Sequence, residues 1–174
     1  MKSKILLIPL ALLALTITVP VRAEPAWFVE CQLELTDFIY VETVPGGILF
    51  DVPFEGVAGG PNVKEGTVVG VDHVLIDGEG NAHLNIYLTI TDKEGDAISA
   101  HITGLAVPKN PGQLVFEGAW ATIINEFDPT TDVFYPTTGK YIDLLGETFR
   151  DEGFLTEVSV DPPGGYVHVK WYLD

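Results

Sequence analysis

From Trp27 onward the chain alternates apolar and polar residues with a period of two, and helical periodicity is nearly absent. Strand-like runs cover Trp27–Leu35, Phe38–Thr43, Ile48–Phe54, Thr67–Ile76, Ala82–Thr91, Ala97–Val107, Leu114–Asn125, Phe154–Val160 and Tyr166–Leu173. Gly and Pro mark the joints at Pro45-Gly46-Gly47, Gly59-Gly60-Pro61, Pro108 through Gly112, and Pro162 through Gly165. Glu126–Gly153 reads as a long loop with one helical turn at Lys140–Leu145, and long loops in compact domains are often functional. The pattern predicts an all-β fold: a single closed or nearly closed antiparallel β-barrel of about 8–10 strands, whose long loop carries at most one short helix.

The sharpest local expectation is a three-strand meander. Asp77-Gly78-Glu79-Gly80-Asn81 and Asp92-Lys93-Glu94-Gly95-Asp96 are short polar loops with Gly, suited to hairpins. In the middle strand Ala82, Leu84, Ile86, Leu88 and Ile90 share one face, and His83, Asn85, Tyr87, Thr89 and Thr91 share the other. Pairing across the loops sets His73 near Asn85 and His101 near Tyr87. His73, His83, Asn85, Tyr87 and His101 then form one polar patch, the expected ligand-binding surface. Whether it points into the barrel or out of it is open at this level.

Charge narrows the partners. The chain has 174 residues, with 9 Lys+Arg against 25 Asp+Glu and a formal net charge of −16, which argues against nucleic acid and anionic membrane surfaces. Hydrophobic residues make up 47 %, enough to bury the core of one domain.

The first 23 residues stand apart. Lys2 and Lys4 precede the apolar run Ile5–Val19, and Val21-Arg22-Ala23 offers a small-residue cleavage site. The expectation is a signal peptide over 1–23 and a single barrel domain over 24–174, secreted or periplasmic and without a membrane segment once mature. Removing Lys2, Lys4 and Arg22 leaves 6 basic residues against 25 acidic ones. Cys31 is the only cysteine, so no intrachain disulfide forms, and its place among Trp27, Val29, Leu33 and Leu35 predicts a buried, inert thiol.

Motifs for familiar chemistry are missing from the sequence. Beyond the leader the only serines are Ser99 and Ser159, neither within Gly-x-Ser-x-Gly. No Gly-x-Gly-x-x-Gly opens a helix and no phosphate-loop lysine is present, so no cofactor is expected. The histidines lack His-x-His spacing and no metal site is assigned. Asp77-x-Glu79-x-Asn81 and Asp92-x-Glu94-x-Asp96 space oxygens as calcium loops do, but lack the glycine and late glutamate of an EF-hand and read as hairpin turns. If the barrel is an enzyme, His73, His101, Tyr87 and Glu117 are the acid–base candidates, with Asp51, Glu55 and Asp72 as further acids whose role depends on burial.

One stretch carries a resemblance. Phe54-Glu55-Gly56-Val57-Ala58-Gly59-Gly60-Pro61 through Gly66, followed by Gly70-Val71-Asp72 and the Lys93–Asp96 turn, resembles a widespread family of small, functionally unassigned single-domain β-barrels. Those barrels are similar in shape to the allene oxide cyclase and dirigent (calycin-like) barrels. The resemblance implies the barrel and no activity. In that pattern an aromatic, usually Trp, tends to follow the Asp, where this chain has His73.

Two functional classes follow. An eight-strand barrel leaves room for one small, mostly apolar molecule, which makes a binding module the first reading. The second is a cofactor-independent cyclase, isomerase or lyase that folds a small organic substrate in that cavity. A structural or interaction role, and assembly into a homo-oligomer, are compatible with the same sequence.

Overall fold

The computed structural model describes residues 26–173; the expected signal peptide, 1–23, lies outside them. Eleven strands follow in chain order: β1 (Trp27–Leu35), β2 (Ile39–Val44), β3 (Gly47–Gly59), β4 (Gly66–Asp77), β5 (Ala82–Thr91), β6 (Ala97–Asn110), β7 (Gln113–Ile123), β8 (Glu126–Asp128), β9 (Val133–Tyr135), β10 (Thr148–Val160) and β11 (Pro163–Tyr172). A 3-10 turn over Gly139–Leu144 precedes β10.

Eight strands close into an antiparallel barrel. The hydrogen-bonded order runs β1, β11, β10, β7, β6, β5, β4, β3, and β3 returns to β1 through pairs such as Leu33 with Gly56. Closure depends on Gly56: a Cβ there would stand 2.1 Å from the Gln32 carbonyl oxygen. β2 continues β1 beyond the bend at Thr36–Phe38 and pairs with the first half of β3. Thr36 holds that bend by donating both its backbone N–H and its hydroxyl to the Pro53 carbonyl.

Alternation assigns the two faces of the wall. In β5, Leu84, Ile86, Leu88 and Ile90 are buried inside the barrel, while the intervening residues face outward. The meander register is the expected one: Ile86 lies opposite Asp72 and Ile102, and Tyr87 opposite His101. Burying the apolar faces of the eight barrel strands in one enclosed core is the main force holding the barrel closed.

The two ends of the barrel differ. At one end Phe28, Val63, Tyr141, Phe149 and Trp171 are all buried, and the Phe28 and Phe149 rings lie 4.7 Å apart. At the other end, where β4 turns into β5, β6 into β7 and β10 into β11, the apolar residues Phe38, Ile76, Leu114 and Phe116 are only half-buried.

The segment Glu126–Gly153, expected to be a long loop, is more structured than that. It contains the β8–β9 hairpin, and β10 begins at Thr148 rather than at Phe154. The polar run Arg150-Asp151-Glu152 breaks the alternation that would have announced the strand, although Phe149 and Asp151 both point inward and are buried. Thr137 and Thr138 staple the segment to β6. The Thr137 hydroxyl accepts from the Ser99 N–H and donates to the Ile124 carbonyl, and Thr138 accepts from the Ala97 N–H.

Candidate functional site

The inner faces of the strands enclose a cavity of about 100 Å³. Its wall is aliphatic and aromatic: Leu33, Phe54, Leu84, Ile86, Leu88, Ile102, Val167 and Val169 surround its middle. Phe38, Ile76, Leu114 and Val158 line it toward the open end. Two carboxyls interrupt this wall, Asp72 of β4 and Asp151 of β10. Three strands separate β4 from β10 in either direction around the barrel, so the acids come from opposite walls.

Their environments differ. Asp72 accepts a hydrogen bond from the Asn85 backbone N–H through Oδ1 at 2.9 Å. It is half-buried and lines the cavity. Burial outweighs that hydrogen bond and the nearby His73, and moves its pKa up to about 7. Asp151 is 2 % exposed, and among the described residues neither of its carboxylate oxygens has a hydrogen-bond partner. Burial alone lifts its pKa to about 8. Trp171, its cross-strand neighbour on β11, also leaves its indole N–H unpartnered. Gly153 sits at the bulge just beyond Asp151, where a Cβ would lie 2.4 Å from a Val169 methyl. At neutral pH the cavity therefore presents apolar walls and carboxyls that lie close to a change of charge.

The polar patch expected from the meander lies on the outer face of the same strands. His73 donates or accepts through Nδ1 with Asp51 Oδ1 at 2.7 Å and through Nε2 with Asp128 Oδ2 at 2.9 Å. Asp128 belongs to β8, so this pair fastens the β8–β9 hairpin across the barrel wall. Tyr87 stacks on His101 at 4.4 Å, meets His73 edge-on at 6.1 Å and is covered by Tyr135 of β9. Asn85 Oδ1 pairs with His101 Nε2 at 2.8 Å. His83 stands apart, half exposed, against Asp77 in the β4–β5 turn.

This arrangement imitates a nucleophile triad and fails as one. Asp51, His73 and the Thr130 hydroxyl, 2.9 Å from Nε2, follow the carboxylate–imidazole–hydroxyl order. Asp128 also reaches Nε2, however, so both ring nitrogens face carboxylates and are served best when both carry protons. The Thr130 hydroxyl donates to Asp128 Oδ1 at 2.7 Å, not to the ring. Burial opposes the charged ring, but the hydrogen bonds to Asp51 and Asp128 win and His73 is raised above the ordinary histidine pKa. His101 is shifted the other way, lowered by burial.

Glu117 does not belong to either site. It is exposed and ion-paired with Lys109 across β6 and β7, and the shift in register after Thr103 leaves it on the outer face beside the inward Phe116. The carboxylates that serve His73 are Asp51 and Asp128. Asp151 is the residue that sequence reasoning missed, and the inward phase Phe149-x-Asp151 was its available signal. Of the acids left conditional on burial, Asp72 alone lines the cavity.

The acidic hairpin loops behave as turns. Asp92 Oδ1 accepts from the Glu94 and Asp96 N–H groups, and Asp77 Oδ1 accepts from Glu79 and Asn81 in the same way. Asp92, Glu94 and Asp96 bring their oxygens within 4.8 Å of one another, and Lys140 places its ammonium among them at 2.8 Å from Glu94 and 2.5 Å from Asp92. That ammonium lowers Asp92 to about 2. The Cys31 thiol is fully buried, and burial pushes its pKa up, which makes it a poor nucleophile.

No family model and no curated protein matches the chain. Solved structures do resemble it in fold. A conserved protein of unknown function from Rhodopseudomonas palustris shares 13 % identity at a TM-score of 0.57, over 86 % of this chain and 97 % of its own. A protein of unknown function from Clostridium acetobutylicum gives 13 % and 0.57, over 86 % and 99 %. A β-barrel-like protein from Acinetobacter baumannii gives 11 % and 0.59, over 87 % and 96 %. At these identities the likeness is one of fold: this chain is a small β-barrel of the same kind as proteins that are themselves without an assigned function.

Proposed function

We propose that this protein is an exported binding barrel that takes a small, mostly apolar molecule into its interior. One observation carries the reading: an aliphatic cavity inside a closed wall, flanked at one end by half-buried apolar residues. A dry apolar cavity of this order accepts ligands such as benzene, and its volume suits an occupant of about six heavy atoms. Export agrees with the leader-like first 23 residues.

Benzene titrated against methyl-labelled protein tests the reading. The Ile86, Leu88 and Ile102 methyls should shift together and saturate, while outward groups such as the Thr89 methyl stay in place. Inner methyls that remain unmoved through the titration would overturn it.

Asp72 favours a second reading, the cofactor-independent cyclase, isomerase or lyase. A cavity-facing carboxyl whose pKa is about 7 is suited to give or take a proton at neutral pH. His73, His101 and Tyr87, on the outer face, would not touch a substrate held inside. Solvent deuterium entering a bound ketone only when Asp72 is intact would support this reading, and equal exchange in Asp72→Asn would end it.

A further inference from the structure

We propose, building on the interior binding site, that the cavity is selective for small apolar amines, whose ammonium group is held by Asp151. Three observations combine. Asp151 presents two carboxylate oxygens with no partner among the described residues, at 2 % exposure, in a wall that is otherwise hydrocarbon except for Asp72. Among the described residues no Lys, Arg or His lines the cavity to answer either acid. And Asp151 lies near the plugged end, two residues from the buried Phe149 ring, while the residues toward the open end are apolar.

The order of chemistry along the cavity sets the orientation of the ligand. A molecule entering from the open end meets hydrocarbon first, then Asp72 midway along β4, then Asp151. A short amine fits head first, with its ammonium at Asp151 and its chain along Ile86, Leu88 and Ile102. An ammonium supplies three donors to a carboxylate with two free oxygens, whereas an alcohol supplies one. The excess of acidic over basic residues also raises the concentration of cations around the protein.

Proton balance makes the idea specific. An alkylammonium entering against a protonated Asp151 carboxyl displaces that proton to solvent, so binding releases one proton and strengthens as pH rises. The other titratable groups facing Asp151 are the buried Cys31 thiol on β1 and Asp72 across the cavity; β7 and β11 present Ala119 and Trp171 beside it. Neither of those groups supplies a cation to compete.

The test compares n-pentylamine with 1-pentanol, equal in chain length, by calorimetry in 0.5 M salt to screen the acidic surface. Pentylamine should bind more tightly than pentanol at pH 8.5 and weaken about tenfold per pH unit below pH 8, while pentanol binding stays level. Two buffers of different ionisation enthalpy should report about one proton released near pH 6.5. Asp151→Asn should remove the preference for the amine and leave pentanol affinity within about threefold. Pentanol binding without amine preference would overturn this inference while leaving the apolar site intact. Failure of both ligands to bind would remove both readings. Should Asp151→Asn not fold, the proton release and pH profile of the unaltered protein decide the matter alone.

Discussion

The plugged end and the open end of this barrel are built from the same alternating strands, yet they bury different amounts of hydrocarbon. At the plugged end Phe149 and Trp171 are 0 % exposed and Phe28 closes over them. At the open end Val158 is 41 % exposed and the neighbouring aromatics are half-buried. A barrel with both ends sealed would gain stability and lose access. The difference teaches that one end carries the stability, while the other, with its apolar residues only half-covered, is where the proposed interior site would be entered. Asp151 lies just inside the stable end, where an unpaired acid is hardest to tolerate.

Phe149→Ala should produce the largest effect, because it removes a fully buried ring from the plug. A loss of about 3–5 kcal/mol in denaturant unfolding is expected. A loss below about 1 kcal/mol would mean that the plug is not where the core is anchored.

Asp151→Asn should come next, and its effect should depend on pH. The folded-state pKa of about 8 is far above that of an unfolded aspartate, so the folded protein holds the proton that the unfolded chain releases between pH 4 and 8. Wild-type stability must therefore fall through that window by roughly 1 kcal/mol per pH unit from this group. The asparagine variant lacks that slope, so its advantage should grow from pH 5 to pH 8. Parallel stability curves for the two proteins would show that Asp151 is solvated or paired in solution.

The same contrast shows where the sequence was readable. Ala82–Thr91 and its neighbours alternate cleanly, and both the strands and their pairing follow from that, including Tyr87 opposite His101. Alternation says which residues share a face, but not which face is inside. Leu84, Ile86 and Leu88 take the interior because they are the more apolar set, and the polar patch goes outward under the β8–β9 hairpin. That hairpin was hidden because three-residue strands carry too few positions for a period to register. Asp51 could be named among the acids, but its pairing with His73 depends on the β3–β4 register, and that of Asp128 on the hairpin. Asp151 was hidden because a buried acid contradicts the pattern that defines a strand.

On the outer face, His73→Gln tests the fastening of the hairpin. The His73 pKa is raised in the folded state, so its contribution is fully present below about pH 6.5 and disappears as pH rises through the folded value. Asp128 is depressed, chiefly because the Thr130 and His73 hydrogen bonds overcome the effect of burial, so its share is lost as the solution becomes strongly acid. The latch should be strongest between those limits. Because solvent reaches Asp51, a cost of about 1 kcal/mol at pH 5.5 is expected for His73→Gln, shrinking by pH 9. Hydrogen exchange in β8 and β9 should accelerate in the variant while the barrel strands stay protected. Uniform acceleration across the barrel would mean that the hairpin is part of the core.

Val158→Ala, at the open end, should have the smallest effect on stability and so completes the comparison. The side chain lines the cavity but is 41 % exposed, and removing two methyls there leaves little new void, because solvent already reaches the site. A change within about 0.5 kcal/mol is expected, as for surface positions. Its effect should appear in kinetics instead. A smaller residue at the entrance should speed both entry and exit of benzene by similar factors, leaving affinity nearly unchanged, which exchange broadening of the Ile86 and Ile102 methyls can measure. If Val158→Ala destabilises the protein as much as Phe149→Ala, the two ends are equally sealed and access must lie elsewhere in the wall.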